Sequence, residues 1–209
     1  MGNVSHVKSK TFGAASADTN AICTNQTNSG AGSMTLTDTG KNGVLVPGNL
    51  GTTITITSTT GTTNSGITFD ITGMGVDGSS VTESSVTGPG GSTFVTGSTV
   101  FVSVTGITHS GTCTDVEIGI TATTTGTGVV FAGRTRIRGM HIVPSSQEGV
   151  IDFRNGSSSG TKVLEMGVYS DQTPVDPYIP DNGVLFKDGA MVDIGTTDLA
   201  DNITVFYDG

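Results

Sequence analysis

The sequence has no tryptophan, three tyrosines and only six leucines in 209 residues. Lysine and glutamate are equally scarce, so the strong helix formers are missing. That excludes an all-helical protein and, with it, the helical motifs that read DNA. Lys plus Arg is 9 against 18 Asp plus Glu, a net charge of -9. Nucleic-acid backbones and anionic membrane surfaces are both bound through clustered basic residues, so neither is an expected partner. No apolar run approaches the ~18 residues of a membrane span. Two cysteines, Cys23 and Cys113, are too few for a disulfide scaffold or a four-ligand zinc site. The opening MGNVSHVKSK has no apolar signal region, and His6 stands where a myristoylation pattern needs Ser or Thr. Synthesis in a cytoplasm is the expectation.

What is present is β-branched and small. The chain carries 22 Val, 14 Ile, 37 Thr, 21 Ser and 32 Gly. Val, Ile and Thr favour strands. Charged residues are 13% of the chain, about half the usual share, so the surface is built of hydroxyls and backbone. Thr53 to Thr57 alternates strictly with Ile54 and Ile56. Ile67, Phe69 and Ile71 do the same, as do Val100, Val102 and Val104, and Val116, Ile118 and Ile120. Asp77-Gly78 is a hairpin signal before the strand 80–87. Later, 134–142, 151–153, 163–169 and 203–207 read as strands, separated by the turn signals NGSSSG at 155–160 and Asp-Asn-Gly at 181–183.

No Lys or Arg occurs between Lys41 and Arg134. This shift, with the TATTTGTG run at 121–128, divides the chain. The expected organisation is an N-terminal arm over 1–20, a β-sandwich over 21–122, a Thr/Gly linker over 123–132 and a second small β domain over 133–209. The fold class is all-β, with two antiparallel sandwich- or barrel-like domains.

The motifs with chemical potential fall short of their chemistry. Gly73-Met74-Gly75-Val76-Asp77-Gly78 matches G-x-G-x-x-G, but a strand-like run follows where a phosphate-holding helix is needed. Gly156-Ser157-Ser158-Ser159-Gly160 matches G-x-S-x-G, again with a strand after it instead of the helix of a nucleophile elbow. His109 and Cys113, with Cys23, His6 and His141, form no metal-ligand spacing. Asp171, Asp176, Asp181 and Asp188 do not fit an EF-hand. The sequons at Asn3, Asn25, Asn155 and Asn202 fall in a Ser/Thr-rich chain where chance matches abound. No enzyme, cofactor or metal is expected. Cys23 and Cys113 lie near the first and last strands of one sandwich, so a disulfide between them is open. Arg134, Arg136 and Arg138 share one face of a strand and are candidate partner contacts, as are Lys8 and Lys10 in the arm. The alternative for the arginines is pairing with Asp152, Glu165 or the acids of 171–201.

The segments Ala21-Ile22-Cys23-Thr24-Asn25-Gln26-Thr27, Ile67 to Gly73, Asp77-Gly78, Val81-Thr82-Glu83 and Val86-Thr87-Gly88-Pro89-Gly90 resemble a β-domain of virion structural proteins in tailed bacteriophages. Arg136 to Val143, Gly160 to Leu164, Ile179 to Phe186 and Ile203 to Tyr207 are similar to a small domain of marine phage structural proteins, cyanophages included. These are turn and core residues, so the resemblance implies a fold and a setting but no site. It implies a capsid decoration or cement protein bound to the major capsid protein on the particle exterior, or a neck or tail part. A receptor- or carbohydrate-binding module on a fibre is a separate alternative, weakened by the absence of Trp and the presence of only three Tyr. A homo-oligomer is expected, and a trimer would suit a local three-fold axis.

Overall fold

The computed structural model describes residues 7–38, 43–170, 173–180 and 182–209. The strands are β1 (Lys8–Gly13), β2 (Asp18–Asn28), β3 (Gly32–Ser33), β4 (Val44–Leu45), β5 (Thr52–Ser58), β6 (Thr68–Met74), β7 (Ser80–Thr87), β8 (Phe94–Phe101), β9 (Ser103–His109) and β10 (Cys113–Ile120). They continue as β11 (Gly126–Phe131), β12 (Thr135–Pro144), β13 (Gly149–Asn155), β14 (Lys162–Val168), β15 (Val184–Phe186), β16 (Ala190–Ile194) and β17 (Ala200–Asp208). A 3-10 turn at Pro47–Asn49 is the only helical element among the described residues.

Four antiparallel sheets form two sandwiches. In the first, the sheet β2-β10-β5-β8 faces β3-β9-β6-β7, with β4 added beside β9. In the second, β1-β17-β12-β15 faces β11-β16-β13-β14. Alternation explains the faces. Ile54 and Ile56 of β5 are fully buried against Phe69, Ile71, Ile107 and Ile118, while Thr53, Thr55 and Thr57 turn to the opposite face. Ile151 and Phe153 of β13 likewise meet Ile137, Ile142, Ile203 and Val205 in the second core. The series Val100-Val102-Val104 is not one strand. The chain crosses from one sheet of the first sandwich to the other at this point, leaving β8 after Phe101 and entering β9 at Ser103.

The second sandwich is assembled from distant segments. Residues 8–13, expected as part of an arm, are β1, which pairs with β17 from Lys8 opposite Tyr207 to Gly13 opposite Asn202. Phe12 is fully buried in the second core. Residues 126–131, expected as linker, are β11, paired with β16, and Val130 also enters that core. The physical reason is long-range pairing. Phe12 in KSKTFG and Val130 in GTGVVF sit in short segments whose partner strands, β17 and β16, lie far along the chain, and strand pairing satisfies their backbone groups.

The first sandwich is therefore inserted between β1 and β11, and the chain crosses between the two bodies four times, twice at the ends of the insertion and twice at the 3-10 turn. At one place Ala15 and Thr123 exchange two 2.8 Å backbone hydrogen bonds. At another, the 3-10 turn dips across so that Leu50 is buried in the second core. Gly48 takes φ +77° there, and a Cβ on it would run into the Gly13 carbonyl. Asn49 donates to the Thr11 carbonyl at 2.8 Å, and Gly51 donates to that of Thr127 at 2.9 Å.

Candidate functional site

Pairing order brings most of the nominated cations to one corner. Lys8 lies opposite Tyr207, and Tyr207 lies opposite Ile137. Arg136 lies opposite Asp208 on one side and Leu185 on the other. Lys8 and the start of β12 are therefore about 10 Å apart, two strand spacings. A register shift between Ile137 and Gly139 makes Arg138 the extra residue of a bulge, which keeps it beside Arg136 at the surface. Phe186 pairs with Thr135, so Lys187 follows at the same end. Five of the nine basic residues, Lys8, Arg134, Arg136, Arg138 and Lys187, meet here in a chain of net charge -9.

The corner is partly braced. Lys8 Nζ donates to the Gly209 carbonyl at 2.7 Å and stands 5.4 Å from the centroid of the Phe131 ring. That ring packs at 5.8 Å against Tyr207. Arg136 donates to the Asn182 carbonyl at 2.9 Å. Arg138 pairs with Asp208 at 3.4 Å, and Thr135 Oγ1 donates to the Asp208 carbonyl. Arg134 is exposed. A shallow hollow of about 260 Å³ is lined by Arg134, Thr135, Arg136, Leu185, Asp208 and Gly209. Guanidinium forks at its rim suit carboxylates on a partner. By contrast, the first sandwich has seven acids and no Lys or Arg among its described residues.

Lys10 does not join this corner. It shares the inward parity of Phe12, donates to the Val129 carbonyl at 2.8 Å and lies 5.6 Å from the Phe12 ring centroid. Burial pulls its ammonium pKa below the usual lysine value.

Of the acids expected to neutralise the arginine strand, Asp152, Glu165 and Asp193 are used elsewhere. Asp152 pairs with Arg154 at 2.8 Å and Lys162 at 3.0 Å, Asp193 pairs with Arg154 at 3.2 Å, and Glu165 pairs with Lys162. This network covers the outer face of the β13-β14-β16 sheet. Asp208 was the signal overlooked, because alternation names a face but not the strand that comes to lie beside it.

The disulfide is corrected. Cys113 pairs in register with Asn28, and Cys23 pairs with Ile118. The two cysteines are five residues apart along β10, on the order of 15 Å, far beyond the 4.4–6.8 Å a disulfide spans. Both are free and buried, and burial pushes the Cys23 thiol up to about 12.

The other motif residues are placed structurally. His109 bonds through Nδ1 to the Gly111 carbonyl at 2.7 Å and lies against Phe69. His141 bonds Asp176 at 2.8 Å, and Asp188 accepts from Asn155 at 2.6 Å. Ser157 and Ser159 bond each other at 3.4 Å in the β13–β14 turn. Gly73 ends near the close of β6, and Asp77 turns the chain by accepting from Ser79 at 2.9 Å. Asn25 donates to Thr59. Among the described residues no group of three His, Cys, Asp or Glu is arranged to hold a metal. Asn3, His6, Asp171 and Asp181 lie outside the described residues. Set against known protein families, characterised proteins and solved structures, the chain matches none of them.

Proposed function

We propose that the chain is a non-enzymatic structural protein of a tailed-phage particle, a decoration or cement protein that docks on the outer shell. The observation that carries this reading is the cationic corner. Lys8, Arg134, Arg136 and Arg138 converge from β1 and β12 in a chain otherwise short of positive charge. Such a patch orients a protein on an acidic lattice surface and gives the contact its register. Two sandwiches locked by four crossings form a stiff spacer, suited to projecting one body while the other is anchored. Repetition over a symmetric shell then stabilises that shell by mass action.

A placement in the neck, tail or fibre keeps the same fold. Tyr178 and Tyr169, 84% and 59% exposed, favour it as a second reading, because exposed aromatic faces serve receptor or sugar contacts. Quantitative mass spectrometry of purified particles, counting this chain against the major shell protein, tests the proposal. Copies in the hundreds support the decoration role. A count on the order of ten moves the chain to the neck, tail or fibre. Absence from the particle refutes both.

A further inference from the structure

Where the first sandwich meets β1 and β11, a cavity of about 160 Å³ is lined by Lys10, Leu45, Asn49, Met74, Ser103 and Val129 among others. Three features set it apart from a packing gap. Lys10 brings a largely buried ammonium with three donors, of which the Val129 carbonyl takes one. Among the described residues no carboxylate pairs with it, although buried charges are normally paired. Ser103 is 1% exposed, and its hydroxyl has no partner. Its neighbour Val104 is fully buried in the first core, so alternation turns Ser103 outward, toward β11 and the cavity. The amide of Asn49 is already committed to the Thr11 carbonyl. The remaining walls, Leu45, Met74 and Val129, are apolar, and Leu45 is 57% exposed at the rim.

We propose that this cavity binds a small monocarboxylate with a short apolar tail. The carboxylate meets the Lys10 ammonium and the Ser103 hydroxyl, supplying the missing counter-charge and the missing partner together. The tail lies against Leu45, Met74 and Val129. The volume is that of about five water molecules, enough for an acid of butyrate size. The site is separate from the cationic corner and does not depend on the docking role. It lies between the two bodies, so an occupant would tie them together.

The test is titration of the full chain with butyrate, followed by NMR at the Lys10 side chain and the Ser103 amide. Butyramide serves as the uncharged probe of the same shape. The expected result is a saturable shift at both residues with butyrate and none with butyramide. The Lys10 pKa should also rise on binding, because a carboxylate beside an ammonium favours its charged form. Ser103→Ala should weaken binding roughly fivefold while leaving the amide spectrum elsewhere unchanged. Lys10→Met should abolish it. If Lys10→Met does not fold, the butyrate and butyramide comparison on the unaltered chain decides alone. Equal responses to the two probes, or shifts that never saturate, would overturn the proposal.

Discussion

Replacing Phe12 by alanine separates an integral strand from a loose arm more sharply than any other change. Phe12 is fully buried among residues of the second core. It also sits so close to Gly128 that a Cβ there would lie 2.6 Å from its ring. Nothing small can fill the space it leaves, since β1 is held in register by pairing from Lys8 to Gly13. Truncating a buried Phe costs about 3–5 kcal/mol through lost transfer energy and the residual cavity. At about 2–4 °C per kcal/mol for a chain of this size, the melting temperature should fall by roughly 10 °C. Urea unfolding followed by circular dichroism gives the free energy. Phe12→Leu, which keeps most of the volume, should cost less than about 1.5 kcal/mol. Gly128→Ala should damage the same contact from the other side. A Phe12→Ala protein within about 0.5 kcal/mol of the parent would refute the pairing of β1 with β17 and restore the loose arm.

Three further outcomes are expected. The double substitution Arg134→Glu and Arg136→Glu should abolish sedimentation with purified shells while leaving the melting temperature nearly unchanged, because both side chains reach solvent and exposed charge contacts are worth at most about 1 kcal/mol; undiminished co-sedimentation would remove the corner from the docking surface. The Cys23 thiol, pushed up to about 12 by burial from an ordinary 9.0, keeps its proton in the fold where the unfolded chain loses it. Its contribution is fully present below about pH 9 and is lost as pH rises toward 12, by up to about 4 kcal/mol, so Cys23→Ala should flatten that alkaline limb of the stability curve. Asn64, 3% exposed, donates to the Thr114 carbonyl at 3.0 Å and accepts from the Thr114 amide at 3.0 Å; Asn64→Ala should cost about 2 kcal/mol in chemical denaturation by leaving buried backbone groups unpaired.

The strands of the cores were readable from alternation alone, since Ile54 with Ile56, and Ile203 with Val205, announce one buried face each. Alternation fails at Val100 to Val104, where the same pattern continues through a corner between sheets. It also carries no information about which strand lies alongside. The register that keeps Cys23 away from Cys113, and sets Asp208 rather than Asp152 beside the arginines, depends on long-range pairing. Leu50 shows the same limit from another side. It is one apolar residue in a turn, and only the dip of the chain into the neighbouring sandwich gives it a core to enter. The corner itself was half legible. The shared face of the arginines could be read from spacing, whereas Lys8 arrived there through β17 and Lys10 turned away with the parity of Phe12.

The pairing of β1 with β17 also has a consequence in time. Lys8 meets Tyr207, so β1 waits for about 200 further residues to be made before its partner strand exists. At about 5–20 residues per second, that wait is on the order of ten to forty seconds. The first sandwich, whose segments all precede residue 121, can close during the delay. Phe12 stays uncovered until β17 has emerged. Completion of the second sandwich then reports that translation has passed β17, and a chain cut short before residue 200 keeps an unpaired edge.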